Sequence, residues 1–191
     1  MSSLKAFIVA PLIFLIVLGS IFAYSGIWPP LVVIESKSMQ HSPTESYIGV
    51  IDTGDIVIVK GSDSIDDVVT YVEGYATGFE TYSEYGDVII YYRSGMEKPV
   101  IHRAIVELEY NFTGGGFDIP SLQNFPASMW SVPGEKTWWN LKESVTLYDI
   151  GYANVKVEID LASMLSYMQA RGTPHGGLIT MGDNNLSLIH I

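Results

Sequence analysis

The sequence predicts a mainly β fold: a body of antiparallel strands behind one N-terminal membrane helix, interrupted by a partly helical insertion. Residues 6–24 form an apolar run without a charged side chain. After residue 30, short β-branched and aromatic runs alternate with Gly, Asp and Pro, which is the pattern of strands and turns. Residues 109–174 combine three consecutive glycines with several prolines and tryptophans, and we interpret them as the insertion.

Residues 6–25 are predicted to cross the membrane, because about 20 apolar helical residues span a bilayer core. Lys5 and the terminal amine precede the run, so the positive-inside rule places residues 1–5 in the cytoplasm and residues 31–191 outside. The alternative is a cleaved signal peptide, with Ala23-Tyr24-Ser25 as the small residues around the cleavage site. The apolar run exceeds the ~7–15 residues of a signal-peptide core, which favours a retained anchor.

Six runs beyond the helix are predicted to be strands of one mainly antiparallel body. They share β-branched and aromatic residues and are bounded by Gly, Asp or Pro. The runs are residues 31–34, 55–60, 87–93, 100–108, 155–159 and 177–181. Two of them follow a Gly-Asp pair, which ordinary turn chemistry explains without an internal repeat.

The insertion is predicted to contain a short helix at residues 160–170. Apolar residues recur there at i, i+4 and i+7 from Leu161, and Asp160 can cap the first turn. The tryptophans of this segment are interpreted as a small core of its own, and exposure of several of them would instead indicate a membrane or partner contact. They are Trp130, Trp138 and Trp139. Asn111-Phe112-Thr113 is a glycosylation sequon on the predicted outer side.

Composition excludes several classes of function. A formal charge of −11 with only 10 Lys and Arg argues against a nucleic-acid partner, because phosphate binding needs a basic face. The absence of cysteine excludes disulfides, thiolate metal sites and a cysteine nucleophile. The four histidines do not form a His-Glu-Xaa-Xaa-His motif, and we expect neither a metal nor a cofactor.

A pair of hydroxyls directly follows the first predicted strand. The two serines of Ser36-Lys37-Ser38-Met39 are separated by one residue, and residues i and i+2 of an extended segment share a face. Ser38 is therefore the candidate nucleophile, and Ser36 is the candidate helper that holds the oxyanion. A serine hydroxyl is unreactive at its own pKa, so this chemistry needs a base from elsewhere in the chain.

His102 is the best candidate base, because it lies inside a predicted strand whose neighbours would hold the imidazole rigidly. An ordinary imidazole titrates near pH ~6.5 and can accept a proton at pH 7 without special burial. The alternative, a core histidine satisfied by a backbone carbonyl, stays open for this residue taken alone. Asp183, in the turn after the last predicted strand, either orients His102 or closes the turn through bonds from its side chain to the backbone.

Taken together and in order, the membrane helix and four short motifs resemble the type I signal peptidases. The motifs are Ser36-Lys37-Ser38-Met39, Gly54-Asp55-Ile56-Val57, Val100-Ile101-His102-Arg103 and Gly182-Asp183-Asn184-Asn185. The resemblance is to the archaeal and endoplasmic-reticulum branch, in which a histidine followed by arginine stands where the bacterial enzymes carry a lysine. It implies a signal-peptidase-like antiparallel β body outside the membrane.

The resemblance implies a serine endopeptidase that removes signal peptides from secretory precursors, cleaving after small residues. Ser38 would attack the scissile carbonyl, His102 would be the general base, and the Ser36 hydroxyl would help the Ser38 N–H hold the oxyanion. The implied location is the cell membrane, or in a eukaryote the endoplasmic-reticulum membrane with a lumenal domain. The implied partners are secretory precursors and the lipid bilayer, with the translocation machinery as a further candidate.

The sequence departs from the family pattern in two places. The family motif runs Ser-Met-Xaa-Pro, whereas here Gln40-His41 follow Met39 and the nearest proline is Pro43. The turn after the nucleophile is therefore expected to differ from that of the family. His41, which lies in this turn, is a rival base. The family also carries an orienting acid shortly after Gly-Asp-Asn-Asn, but residues 186–191 contain none. Either Asp183 takes that role, or the chain is impaired, or the sequence is incomplete or ends in a foreign tail. We favour an incomplete C-terminus.

Three alternatives to this hypothesis stay open. The first is a Ser/Lys mechanism that uses Lys37, Lys60 or Lys98 as the base. The second is a non-catalytic or degenerate signal-peptidase-like binding subunit, which the missing acid motivates. The third is a secreted β domain whose leader is removed.

Overall fold

The computed structural model describes residues 2–42, 44–46, 49–93 and 95–191. Antiparallel strands predominate, and one apolar helix stands at the N-terminus, which confirms these two parts of the predicted fold. The chain divides into two compact units. The first unit is Met1–Glu35 with Thr53–Asp63, and the second is Ser36–Asp52 with Ser64–Ile191. The first predicted strand and the Gly-Asp strand that follows it therefore belong with the helix and not with the larger body.

The first unit consists of one helix and one antiparallel pair of strands. Helix α1 (Ser2–Ser25) contains a 19-residue stretch, Phe7–Ser25, that is long and apolar enough to cross a membrane. Strands β1 (Leu31–Val33) and β2 (Ile56–Ile58) pair in antiparallel register. The N–H of Gly61, three residues beyond β2, donates to the Ser25 carbonyl at 2.8 Å, which ties the sheet to the end of the helix.

The second unit contains the remaining strands and two further helices. The short strands of its first half are β3 (Glu80–Thr81), β4 (Glu84–Tyr85) and β5 (Val88–Tyr91). The strands that follow are β6 (Val100–Asn111), β7 (Gly116–Asp118), β8 (Trp130–Ser131), β9 (Ser144–Ile150), β10 (Val155–Asp160), β11 (Gly177–Gly182) and β12 (Asn185–His190). The helices are α2 (Tyr71–Thr77) and α3 (Leu161–Arg171), and 3₁₀ turns lie at Ile65–Asp67 and Pro120–Gln123.

Strand β6 is the central element of the second unit. The main sheet has the antiparallel order β12-β11-β6-β5, and β7 pairs with the far end of β6. Both faces of β6 are buried over most of its length, because successive side chains point to opposite sides and each side carries a layer of the core. His102 lies opposite Ile89 of β5, and Arg103 lies opposite Met181 of β11.

The predicted insertion is not a separate core. Residues 109–174 contain a second antiparallel sheet, in the order β10-β9-β8, in addition to the predicted helix. Its buried side chains join those of β6 and β11 in one cluster; members are Ile105, Phe117, Trp130, Leu147, Ile159, Leu161 and Ile179. Trp130 is thus a core residue, whereas Trp139 is exposed. The expectation of a small core within the insertion is wrong, because its strands pack against the main sheet.

Both helices of the second unit begin at side-chain caps. Asp160 accepts a hydrogen bond from the Ser163 N–H at 2.9 Å at the start of α3, which confirms the predicted helix and its cap. Helix α2 was not predicted, although Thr70-Tyr71-Val72-Glu73 carries a capping box. The Thr70 hydroxyl accepts from the Glu73 N–H, and the Glu73 carboxylate accepts from the Thr70 N–H at 2.9 Å.

The sequon asparagine is a structural residue of the β6–β7 turn. The Asn111 side-chain nitrogen donates to both carboxylate oxygens of Asp118, at 3.1 and 3.0 Å. Its side-chain oxygen accepts from the backbone N–H groups of Thr113 and Gly114. All of the hydrogen-bonding capacity of this amide is therefore directed at closing the hairpin.

Substituting alanine at Gly86 and at Gly78 separates a steric clash from backbone strain. The two glycines have nearly the same left-handed φ, 78° and 76°. A Cβ at Gly86 would lie 2.6 Å from the Tyr71 nitrogen, but a Cβ at Gly78 would have no atom within 4 Å. We expect Gly78→Ala to cost about 1–2 kcal/mol and Gly86→Ala roughly 1–3 kcal/mol more. Thermal or denaturant unfolding measures both, and equal losses would contradict the packing at Gly86.

Candidate active site

The two serine hydroxyls meet in a turn and not on a strand. Strand β1 ends at Val33, and the bond from the Gln40 N–H to the Lys37 carbonyl, at 3.2 Å, closes a tight turn around Ser38. The Oγ atoms of Ser36 and Ser38 lie 3.0 Å apart within it. The expected proximity of the hydroxyls is therefore present, although the extended backbone used to predict it is absent.

The hydrogen bonds of Ser38 define where its proton points. Its hydroxyl donates to the backbone carbonyl of Ile101 at 3.1 Å, and a carbonyl can only accept. A hydroxyl has one proton, so the Ser36 hydroxyl must be the donor in the bond between the two serines. The candidate nucleophile thus rests against β6, at the residue that precedes His102 in the chain.

The turn between β11 and β12 holds the nucleophile turn in place. The backbone N–H of Asn184 donates to the Ser38 carbonyl at 2.8 Å, and the Asn184 side-chain nitrogen donates to the Lys37 carbonyl at 3.1 Å. Glycine is required at position 182, because a Cβ there would lie 2.5 Å from the Ser38 carbonyl oxygen. The Gly182-Asp183-Asn184 motif therefore acts through backbone contacts with Ser38 as well as through its acidic side chain.

His102 is buried in the main sheet among polar partners. Its Nδ1 lies 3.5 Å from the Thr180 hydroxyl, which in turn lies 2.7 Å from the Tyr91 hydroxyl and donates to the Ile189 carbonyl at 3.3 Å. When the Thr180 proton lies on that carbonyl, a bond between Thr180 and His102 requires Nδ1 as the donor, and Nε2 is then unprotonated. This tautomer leaves a lone pair on Nε2, which is what a general base needs.

The surroundings of His102 favour its neutral form. Burial lowers the pKa of the imidazole below its usual value, because charging it there removes hydration. The carboxylate of Asp183 opposes this change, and the guanidinium of Arg93 adds to it. The result is an imidazole that stays unprotonated, and able to accept a proton, to lower pH than an exposed one.

Asp183 and Arg103 form a buried ion pair. The Arg103 guanidinium donates to both oxygens of the carboxylate, from Nε at 2.9 Å and Nη2 at 2.8 Å, and its side chain is fully buried. Burial by itself would raise the pKa of Asp183, but hydrogen bonds from His41 and Arg103 outweigh it and hold the pKa below its usual value. The carboxylate is therefore charged throughout the neutral range.

No hydrogen bond between described side chains joins Asp183 to His102, or His102 to Ser38. His102 and Arg103 are neighbours on β6, so their side chains point to opposite faces of the sheet. Asp183 binds Arg103 and therefore lies on the face away from the imidazole. The predicted orienting contact is absent for this reason, and Asp183 acts on His102 through its charge alone.

His41 occupies the position predicted for His102 beside the acid. Its Nε2 lies 2.8 Å from the Asp183 carboxylate, and its ring stacks on Tyr152 with centroids 4.3 Å apart. Its Nδ1 is buried and has no hydrogen-bond partner among the described residues. Sequence analysis named His41 only as a rival base, because nothing in the sequence connects it with an acid 142 residues away. Pro43, the nearest proline, lies outside the described residues.

The three lysines of the Ser/Lys alternative are all exposed to solvent. They are Lys37, Lys60 and Lys98. A lysine acts as a base only when desolvation or a neighbouring cation suppresses its charge. Exposure removes the first of these conditions, so the environment of the basic groups favours histidine over lysine.

The acidic and imidazole groups of the site are not arranged around a cation. Over the described ranges, no group of three or more histidine or carboxylate side chains is close enough to share a metal ion. Asp183, which pairs with His41, also binds the Arg103 guanidinium, whose fixed charge would repel a cation.

Comparison with known proteins adds no relative. Neither a scan against protein-family models nor searches of curated proteins and of solved structures found a match. Any family assignment therefore depends on the short motifs and on their geometry.

Replacing His41 tests whether it positions the acid. His41→Ala removes the bond to Asp183 and the stack on Tyr152, and we expect it to lower the free energy of unfolding by about 1–3 kcal/mol. His175→Ala is the matched control: this exposed ring stacks on His190 but makes no ion pair among the described residues, so a smaller loss is expected. Thermal unfolding in detergent measures both variants. Equal stability of the two would show that the contacts of His41 contribute nothing.

Proposed function

We propose that this chain is a membrane-anchored serine endopeptidase of the type I signal peptidase kind, from the branch that uses serine and histidine. One observation carries the proposal: the Ser38 hydroxyl donates to the carbonyl of Ile101, the residue next to His102. Sequence separation alone would not bring positions 38 and 101 together. The burial of His102, which keeps its imidazole neutral, supports the same assignment.

The proposed reaction is acyl transfer from a secretory precursor to Ser38. In the proposed step, Ser38 Oγ leaves the Ile101 carbonyl and gives its proton to His102 as Oγ attacks the scissile carbonyl. The protonated imidazole then gives that proton to the leaving amine, and the C–N bond breaks. Water, deprotonated by the same imidazole, hydrolyses the resulting ester and restores the Ser38 hydroxyl.

Ser36 is the proposed side-chain donor to the oxyanion, together with the Ser38 N–H. In the resting arrangement the Ser36 hydroxyl already donates to Ser38 Oγ at 3.0 Å. When the Ser38 oxygen becomes bonded to the substrate carbon, the same proton can turn to the adjacent carbonyl oxygen, where negative charge develops. Loss of one such donor typically slows the reaction by about 10²–10³-fold.

The substrate class follows from the anchor and from the sheet. A helix able to cross the bilayer would confine the enzyme to the surface where an apolar signal segment is held, with the larger unit outside the cytoplasm. Strand β5 forms one edge of the sheet that carries His102, and an edge strand can bind an extended peptide through backbone bonds. We therefore propose secretory precursors with small residues before the cleaved bond as substrates.

A second candidate function is a non-catalytic relative that binds precursors without cleaving them. The observation that favours it is the resting geometry, in which Ser38 donates to a carbonyl and Asp183 is engaged by Arg103 and His41. A protein of this kind would bind a precursor with the same affinity whether residue 38 is serine or alanine, and would not release product. The cleavage assay separates the two functions.

Cleavage of a precursor with alanine at the first and third positions before the bond tests the proposal directly. Ser38→Ala and His102→Ala should each lower kcat/KM by roughly 10³-fold or more, because nucleophile and base act as one unit. Lys37→Ala, a neighbour of Ser38 on the same turn, is the matched control and should stay within about twofold of wild type. Activity that survives His102→Ala but is lost in Lys98→Ala would establish the Ser/Lys mechanism instead.

The pH profile tests the role of the imidazole. A base must be neutral, and burial lowers the pKa of His102, so kcat/KM should stay high below pH ~6.5 and then fall about tenfold per pH unit. Arg93→Ala removes an exposed positive charge that lowers this pKa, so the acid limb should move to higher pH. Arg171→Ala is the control and should leave it in place. An acid limb of the wild type that lies above pH ~6.5 would contradict His102 as the titrating group, because burial lowers its pKa.

A further inference from the structure

The face of the main sheet that carries His102 also carries two hydroxyls. Thr180 of β11 lies opposite Ala104, which is two residues after His102 on β6. Tyr91 of β5 lies two residues after Ile89, which is opposite His102. Side chains two residues apart on a strand share a face, and so do directly paired ones. The imidazole therefore has a hydroxyl-bearing diagonal neighbour on each adjacent strand.

The two hydroxyls and the ring form a chain of contacts. The Tyr91 hydroxyl oxygen lies 2.7 Å from Thr180 Oγ1, which lies 3.5 Å from Nδ1 of His102. The rings of Tyr91 and His102 meet edge to face, with their centroids 6.5 Å apart. Thr180 is fully buried, so its hydroxyl depends on protein partners, which include the Ile189 carbonyl at 3.3 Å.

One arrangement of protons makes all three bonds of the Thr180 hydroxyl. A carbonyl only accepts, so the Thr180 proton lies on Ile189, and Tyr91 and His102 are both donors to the Thr180 oxygen. Burial raises the pKa of the Tyr91 phenol, which therefore keeps the proton that it donates. Nδ1 of His102 then carries the ring proton, and Nε2 carries the lone pair.

These hydroxyls stand where a catalytic histidine needs an orienting group. In serine–histidine enzymes this group accepts a hydrogen bond from the ring nitrogen that does not receive the serine proton, and so fixes the tautomer and the direction of the ring. Asp183 does not make this contact, because it binds Arg103 on the opposite face of β6.

We propose that Tyr91 and Thr180 are positioning residues that take the place of an orienting acid for His102. The inference rests on the proposed function, in which His102 is the base. Hydroxyls carry no charge, so they fix the ring without the stabilisation that an adjacent carboxylate gives to the imidazolium. The charged groups that act on the ring are then Asp183 and Arg93, whose effects on its pKa are opposite.

Removing each hydroxyl tests the inference on cleavage of the alanine-containing precursor, on the plateau of the pH profile. Thr180→Val keeps the shape of the side chain but removes the acceptor of Nδ1, so kcat should fall about 10- to 100-fold with KM nearly unchanged. Tyr91→Phe keeps the ring and removes the donor to Thr180, and kcat should fall roughly three- to tenfold.

Two further variants are the controls for this assay. Thr180→Ser keeps the hydroxyl and should restore kcat to within about threefold of wild type. Tyr92→Phe removes the hydroxyl of the next residue along the chain, whose side chain is 71% exposed, and should leave kcat unchanged. Equal kcat in wild type, Thr180→Val and Tyr91→Phe would overturn the inference.

The protonation of His102 is measured without catalysis, in the Ser38→Ala background. Nitrogen NMR of the full chain with labelled histidine in detergent reports both ring nitrogens, and the His102 signals are those lost in His102→Gln. We expect the neutral ring to carry its proton on Nδ1. An acceptor at Nδ1 favours the imidazolium, so Thr180→Val should lower the pKa of His102 further. A ring that is merely loosened would become hydrated, and its pKa would rise towards ~6.5.

A neutral His102 protonated on Nε2 would overturn the inference, and so would a pKa of His102 that rises in Thr180→Val. If Thr180→Val does not fold, the tautomer of the parent and the kcat of Tyr91→Phe still decide. Failure of the proposed function gives a different result: cleavage would then survive Ser38→Ala or His102→Ala, whatever the tautomer of His102.

Discussion

The second unit depends on the buried ion pair between Arg103 and Asp183. The Arg103 guanidinium also donates to the backbone carbonyls of Thr81, Glu84, Tyr85 and Gly86, so one side chain joins β6 to the β3–β4 hairpin and to the β11–β12 turn. Each charge has been taken out of water, and the carboxylate compensates the guanidinium with two bonds while backbone carbonyls surround Nη1 at 3.0–3.2 Å. Losing one partner would leave the other charge stranded, which typically costs about 3–5 kcal/mol.

Two residues, His41 and Asn184, connect this ion pair to the turn that carries Ser38. Asp183 accepts from His41, three residues after Ser38, and Asn184 binds the backbone on either side of the Ser38 side chain. The turn around Ser38 is thus held by groups that lie about 145 residues further along the chain, and this is why Gly182 approaches it so closely. In the proposed reaction, Asp183 supports catalysis mainly by keeping this turn in position, and secondarily by its electrostatic effect on His102.

The parts of the structure that could be predicted from the sequence depend on local signals. The apolar run of α1, the capped periodic pattern of α3 and the β-branched runs of β6 and β11 can each be read within about a dozen residues. Pairings between distant segments carry no such signal. The sheet of β8, β9 and β10 is built from short strands among turn residues, so its pattern resembled an irregular insertion.

The candidate site could likewise be predicted only where the signal in the sequence is local. Ser36, Ser38 and His102 were identified because local spacing and strand context point to them, and Ser38 does lie against the strand of His102. The partner of Asp183 could not be read in this way. Two histidines were available, and strand alternation on β6 directs His102 away from the acid while Arg103 binds it. His41 binds the same carboxylate oxygen as Nη2 of Arg103, and it lies in a turn that no periodic pattern in the sequence predicts.

The hairpin at Asn111 determines when a sugar could be attached to the sequon. An N-linked glycan is joined to the side-chain nitrogen of asparagine, and in the folded protein that nitrogen donates to both oxygens of Asp118. Attachment to this nitrogen would therefore require a chain in which residues 111–118 have not yet folded. Glycan occupancy would then report how fast this hairpin closes after synthesis, and not how exposed it is in the mature protein.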